Sequence, residues 1–384
     1  MSWKNVIGQK RVKQILSASL ERKRLAHAYL FSGPEGVGQD AAALELAKTL
    51  NCEAQVLESC EMCSSCMKCN SFQHPNIKLV FSLPVGKNEK YGDPPLSKLS
   101  DDDIALIRDQ LQLKAKNLYH KIAIPKSNTI KINSVREIRR ESSLTSYQSG
   151  KKVFIVLDAE RLSDESSNAI LKTLEEPHGD TVLILTTSRS DNLLPTIVSR
   201  CQHIKFDPLS RAEIRDALMG REGLEANQAE LVARLSNGSF QRALELTKTK
   251  LQEQRAEAVE FIRTVLYKSR GELLRAIDSI MTEYQKLEIQ EFLLLIQSWL
   301  RDAMAIKEGA EHHVVLEEDN AVRKFAHHHN DINYSRVFDS LDRAISLLDK
   351  NVYIPLILLT LSLELRAMIT QSASSLKTAR RISG

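Results

Sequence analysis

The hydrophobic positions of this chain follow one rhythm up to about residue 206 and another beyond it. In the first part they come as short unbroken runs: Ala28-Tyr29-Leu30-Phe31, Val153-Phe154-Ile155-Val156-Leu157 and Val182-Leu183-Ile184-Leu185. Runs this short, with no polar alternation, are expected of strands buried on both faces. Helix-forming stretches lie between them. Ala41-Ala42-Ala43-Leu44-Glu45-Leu46-Ala47 is one, and Asn168 to Glu176, closed by Pro177, is another. Strands alternating with helices predict an α/β fold: a parallel sheet with helices on both faces.

Residues 84–128 interrupt this alternation. They begin with a polar, turn-rich stretch, Gly92-Asp93-Pro94-Pro95, and continue into one amphipathic helix. Ile104, Ile107, Leu111, Ala115 and Leu118 share a face of that helix, and Asp101 to Asp103 give it an acidic start. The segment reads as an insertion with a plain surface helix. After Pro208 the period is helical throughout. Short helices with a polar break at Asn237-Gly238-Ser239 suggest a small lid over 207–255. Longer helices follow over 256–384. Phe292, Leu295, Ile296, Trp299 and Leu300 form one apolar stripe, and Val337, Leu341, Ala344, Ile345 and Leu348 another. Tyr353 to Leu365 is apolar nearly all round and is expected in the middle of a helical bundle. His327-His328-His329 has no ligand spacing and reads as a solvated loop.

At 384 residues the chain has room for two or three domains, and its net charge of +4 permits a polyanionic partner without arguing for one. Met1 to Asn5 opens on no apolar core, and the run Ile354 to Leu359 is too short to span a bilayer, so a cytoplasmic protein is expected.

Cysteine usage adds a candidate chemistry. Cys52, Cys60, Cys63, Cys66 and Cys69 fall within 18 residues, five of the six in the chain. In a reducing compartment such crowding points to metal rather than disulfides. Zn²⁺ takes four thiolates in a tetrahedron, and C-x-x-C turns present two at the right reach. Cys52, Cys60, Cys63 and Cys66 are the expected ligands, with Cys69 a spare; Cys60, Cys63, Cys66 and Cys69 are the alternative quartet. Either fills every coordination position, which predicts a structural ion over residues 50–75 rather than a catalytic one. Only Lys68 is basic between Cys52 and Cys69, so the loop is a poor phosphate reader.

The loop Gly33-Pro34-Glu35-Gly36-Val37-Gly38-Gln39-Asp40 lies between a strand and a helix, the setting of a phosphate-binding loop. The pattern G-x-x-x-x-G-K-[ST] requires Lys where this chain has Gln39, and Ser or Thr where it has Asp40. Lys reaches the β- and γ-phosphates and the hydroxyl holds Mg²⁺, so the turn survives here and its chemistry does not.

Together these segments resemble the AAA+ clamp-loader subunits of bacterial DNA polymerase III, and within them the delta-prime type. The resemblance runs through most of residues 1–250. It rests on Val6-Ile7-Gly8-Gln9 with His27-Ala28-Tyr29-Leu30-Phe31, on the cysteine cluster ahead of His74-Pro75, and on Asn168 through Pro177. Thr186-Thr187 stands at the sensor-1 position, and Ser199-Arg200-Cys201 is the family's SRC motif. The resemblance implies a RecA-like AAA+ module over 1–206, a helical lid over 207–255 and an all-α collar for assembly over 256–384.

The departures bear on activity. The Walker B pair is Asp158-Ala159, lacking the glutamate that orients water, with Glu160 one residue off. Gln241 stands at the sensor-2 arginine position, with Arg242 out of register. Gln39, Asp40, Ala159 and Gln241 therefore predict no intrinsic ATP hydrolysis. Arg200 is retained, and the resemblance implies that it reaches in trans into a neighbouring subunit's ATP site. The implied role is a non-hydrolysing subunit, with tau/gamma and delta types as partners, that helps load a sliding clamp on primer–template DNA. The alternative is an ATP-hydrolysing tau/gamma-type subunit.

Overall fold

The computed structural model describes residues 3–54, 58–144, 149–176, 180–248, 251–310, 320–329, 332–350 and 352–382, and side chains only up to 370 in the last helix. Pro177 lies outside them. Five strands form one parallel sheet: β1 Ala28–Ser32, β2 Ile77–Val80, β3 Lys152–Val156, β4 Thr181–Thr187 and β5 Gln202–Lys205, in the order β2-β3-β4-β1-β5. β1, β3 and β4 are buried along their whole length, as unbroken apolar runs require. β2 and β5 were not anticipated. They are the two edges of the sheet, and their polar residues (Lys78, Gln202, His203, Lys205) break the apolar run that marks a central strand.

The helices flanking the sheet are α1 Lys10–Glu21, α2 Gln39–Leu50, α3 Ser64–Asn70, α4 Asp101–Lys116, α5 Ile132–Ser142, α6 Asp164–Glu175 and α7 Pro195–Val198. Leu30, Phe154, Val156, Leu183 and Leu185 share one buried cluster with Val135 and Ile138 of α5, Ile170 and Leu174 of α6 and Ile197 of α7. Each of these side chains contributes about 1.5–3 kcal/mol by leaving water. Alternation turns Tyr29, Phe31, Ile155 and Ile184 to the opposite face, and α2 packs on β1, β3 and β4. α6 starts four residues before the expected Asn168, because Ser163 caps it: its Oγ accepts from Ser166 N at 3.2 Å.

The insertion builds a small core of its own. Ile107 of α4 is buried with Leu83 and Ile124. The α4 cap is Ser100, whose Oγ accepts from Asp103 N at 3.2 Å; the acidic run lies inside the first turn.

The remaining helices are α8 Arg211–Ala217, α9 Ala226–Leu235, α10 Phe240–Leu246, α11 Leu251–Tyr267, α12 Arg270–Glu283, α13 Lys286–Lys307, α14 Asn320–His328, α15 Tyr334–Asp349 and α16 Ile354–Ile382. The chain divides into two compact units, Met1–Gly223 with Ser236–Leu244, and Leu224–Leu235 with Glu245–Gly384, so the expected lid segment 207–255 is shared between them. In the second unit the α13 stripe from Phe292 to Leu300 is buried, as are Val337, Leu341, Ala344 and Leu348 of α15.

Two expectations fail there. α16 does not sit in the middle of the bundle. It buries Ile357, Leu358, Leu361 and Leu365 but leaves Leu356 (55%) and Leu363 (48%) exposed, as is Tyr353 (72%) just before its first turn. Apolar residues all round α16 therefore give one packed face and one open one. Nor is the histidine run a solvated loop. His327 and His328 end α14, and His329 is buried, 2.7 Å from the Tyr267 hydroxyl and stacked on Phe325.

Candidate functional site

The carboxyl ends of β1, β4 and β3 converge, which is where parallel α/β sheets bind ligands. Register pairs Phe31 with Thr186 and Ser32 with Thr187, and sets Val156 beside Leu185, two residues before Asp158. The phosphate-type loop leaves β1 here and opens into α2. Its turns need positive φ at Gly36 (+75°) and Gly38 (+113°), which the glycines supply.

The altered residues close this loop on itself. The Gln39 amide donates to Gly33 O at 2.7 Å and Pro34 O at 2.8 Å. The side chain at the lysine position thus bonds the loop's own carbonyls. Asp40, in the first turn of α2, accepts from Thr186 Oγ1 at 2.8 Å through Oδ1 and from Lys114 Nζ at 2.8 Å through Oδ2. Lys114 comes from α4, in the insertion. Its side chain is only 1% exposed, and Nζ also donates to Leu118 O at 3.2 Å and His120 O at 2.8 Å. The cation that a carboxylate at this position requires is therefore built into the chain. The sequence held a signal for it: Lys114 lies three residues after Leu111 and four before Leu118, in the middle of the apolar stripe.

Tyr119 follows in the same segment and is 5% exposed. Its hydroxyl accepts from Ile7 N at 2.7 Å, and its ring meets Phe240 edge-on with centroids 5.0 Å apart. A Cβ on Gly38 would lie 2.9 Å from that hydroxyl, so the ring rests directly on the loop. Burial pushes the phenol up to about 12, so it stays neutral. Phe240 N and Gln241 N both donate to Gly36 O, at 3.0 and 3.4 Å. What remains between Glu35, Gln39, Asp40, Tyr119, Asp158 and Gln241 is a cavity of ≈ 50 Å³. Sites for drug-sized ligands run to about 300–1,000 Å³.

Asp158 lines this cavity. Burial first, and then the neighbouring Asp40, push its carboxyl up to about 6. Ala159 is buried and carries no acid. Glu160 is turned to the end of β4, where its Oε1 accepts from Ser188 N at 3.1 Å and Ser188 Oγ at 2.7 Å. Arg242 does not line the cavity.

The cysteines divide four and one. The sulfurs of Cys52, Cys60, Cys63 and Cys66 all lie within 4.8 Å of one another, with Cys60 and Cys66 4.0 Å apart. A tetrahedron of 2.3 Å Zn–S bonds has edges of about 3.8 Å, so the quartet is close to the size a metal needs. Backbone amides support it: Cys60 N donates to Cys52 Sγ at 3.3 Å, Cys63 N to Cys60 Sγ and Cys66 N to Cys63 Sγ, both at 3.4 Å. Amide donors from Met62 and Cys63 bring the Cys60 thiol down to about 6, toward the thiolate a metal takes. Cys69 stands apart and is buried, and burial pushes its thiol up to about 12.

Arg200 is 37% exposed by side chain and rests on its own module. Its NH2 is 2.8 Å from Glu175 Oε1, and its NH1 donates to Thr196 O at 3.0 Å. Cys201 packs against the buried cluster of the sheet. No helix among the described residues is long and apolar enough to cross a membrane.

The chain is similar to known proteins. The family model described as DNA polymerase III, delta subunit, matches residues 8–210. DNA polymerase III subunit delta' of Bacillus subtilis is 30% identical over 325 residues, which cover 83% of this chain and 84% of that protein. DNA polymerase III subunit tau of the same organism is 28% identical over 249 residues, 64% of this chain and 37% of tau. Among solved structures, a DNA polymerase III gamma subunit-related protein from Thermotoga maritima overlaps 93% of this chain and 99% of its own with a TM-score of 0.37 and 18% identity. With the family model matching more than half of its length and the delta' relative most of it, the chain belongs to the DNA polymerase III delta-subunit family, in the delta-prime branch of the AAA+ clamp loaders.

Proposed function

We propose that this protein is the non-hydrolysing, delta-prime-like subunit of a clamp loader, which helps place the sliding clamp on primed DNA and lends Arg200 to a neighbouring ATPase subunit. The observation that carries the reading is Gln39. Its amide bonds the loop's own carbonyls where a phosphate-binding ammonium would have to stand. Phosphoryl transfer needs positioned cations and a positioned water. Asp40 has already taken its cation from Lys114, and the carboxylate nearest to Walker B, Glu160, is bonded to Ser188. The alternative tau/gamma-type ATPase would need all of these contacts to break.

Arg200 supports a role in trans. It is held at the surface by one exposed ion pair, worth only about 0–1 kcal/mol, and one exposed hydrogen bond to Thr196 O, so it releases readily. Partners are tau/gamma- and delta-type subunits, and the open face of α16 supports assembly through the helical second unit. The ion held by Cys52, Cys60, Cys63 and Cys66 is structural Zn²⁺, since four thiolates leave no open position for substrate.

The test is steady-state ATP hydrolysis by the reconstituted complex with clamp and primed DNA. The isolated chain should show no turnover. Arg200→Ala should leave assembly intact and silence one ATP site, where a finger is worth roughly 10³–10⁵ in rate, lowering the total by that site's share. Arg200→Lys should not rescue, because a point charge lacks the planar fork. An unchanged rate in Arg200→Ala would make Arg200 a structural residue.

A further inference from the structure

The insertion supplies both groups that fill the degenerate nucleotide site, and their chemistry matches, part by part, what they displace. A helix N-terminus with its loop amides attracts negative charge, the reason phosphates bind there. Asp40 brings such a charge in the first turn of α2. An anion there needs a cation, and Lys114 places its ammonium 2.8 Å from Asp40 Oδ2 with every remaining proton bonded to a carbonyl. A flat aromatic group with one hydrogen bond to backbone completes the set. Tyr119 accepts from Ile7 N and packs against Phe240.

We propose that Asp40, Lys114 and Tyr119 form an internal stand-in for bound nucleotide: residues 114–119 of the insertion are the resident ligand of this pocket. They add to the ties among three pieces: the N-terminal segment at Ile7, the loop with α2, and the segment from Ser239 to Gln241. The Gln9 amide to Val37 O and the Phe240 and Gln241 amides to Gly36 O also join these pieces. The inference rests on the silent-site reading above and adds that the insertion, not the loss of the loop lysine alone, keeps nucleotide out.

The probe is ATP with Mg²⁺, read by equilibrium binding and thermal melting of the full chain. The wild type should bind none; binding there would overturn the silent-site reading itself. With the wild type silent, Gln39→Lys with Asp40→Thr restores the loop's lysine and hydroxyl. That variant should still bind no ATP, and if it does the insertion is not the occupant. Adding Lys114→Ala and Tyr119→Ala should then open the site to measurable ATP binding, with a Kd at least about tenfold below the highest concentration at which the loop-restored variant shows none. Failure of the folded quadruple variant to bind overturns the proposal.

Should that variant not fold, Tyr119→Phe decides. It removes one oxygen and keeps the ring. Hydrogen exchange at the Ile7 amide should then quicken about tenfold, the worth of one hydrogen bond. Unchanged exchange would mean that Tyr119 does not hold the N-terminal segment and that the stand-in fails.

Discussion

Burial changes what a charged side chain does in this protein. Asp158 holds its proton up to about 6 against an ordinary value of 3.8, so the folded state binds that proton more tightly than the unfolded chain. Its contribution to stability is full below 3.8 and is lost as pH rises through about 6. Asp158→Asn should flatten that part of the pH–stability curve and stabilise the protein near neutral pH, measured by urea unfolding. The gain should stay below about 1 kcal/mol, because the side chain is 35% exposed and water screens it. Lys114 is a harsher case. Lys114→Met leaves Asp40 without its cation and two part-buried carbonyls without this donor, and should cost about 3 kcal/mol in the same assay. Glu175 contrasts with both. Its pair with Arg200 is exposed, so Glu175→Gln should leave stability within about 0.5 kcal/mol and the assembled complex's ATP hydrolysis within about twofold. A fall as large as that of Arg200→Ala would mean that the carboxylate positions the arginine.

Elements were legible where one force decided them. β1, β3 and β4 are buried on both faces, so their central residues had to be apolar without a break, with Ser32, Lys152, Thr181, Thr186 and Thr187 only at their ends. The phosphate-type turn was legible because only glycine tolerates its positive φ values. The edge strands β2 and β5 were not, since half-wet strands carry polar side chains. Nor was the insertion's role. A helix that faces its own module's pocket looks like a surface helix unless Lys114, in the middle of its apolar stripe, is given weight. The metal quartet was legible as Cys52, Cys60, Cys63 and Cys66, with a set that swaps Cys52 for Cys69 as the alternative that spacing leaves open. Distance in space favours Cys52 over Cys69. Elemental analysis should find about one zinc per chain, lost in Cys66→Ser and retained in Cys69→Ser. Loss of the ion should loosen the loop around α3, since such sites supply on the order of 10 kcal/mol to local folding. Zinc retained in Cys52→Ser but lost in Cys69→Ser would reverse the choice.

At the scale of the molecule, the open face of α16 is the feature that a lone chain does not explain. Tyr353, Leu356, Thr360 and Leu363 follow one another at helical spacing, and all four are exposed. Burying each leucine against a partner would add about 1.5–3 kcal/mol to association. Leu356→Asp with Leu363→Asp should leave the melting temperature of the free chain unchanged and weaken assembly with the other subunits by at least about 100-fold, measured by analytical ultracentrifugation. Intact assembly of that variant would move the interface elsewhere.

The contact between Lys114 and Asp40 has a consequence for how the cell's energy state reaches this protein. A diffusible nucleotide fills a site according to its concentration, and occupancy drops when the pool is depleted. A group carried on the same chain is present at a fixed effective concentration, which for short tethers is on the order of millimolar or more and does not vary with metabolism. A pocket filled in that way cannot report on adenylate supply. On the proposed function, any response to energy charge in the assembled machine would reside in its other subunits, and this one would offer them the same surface in starvation and in growth.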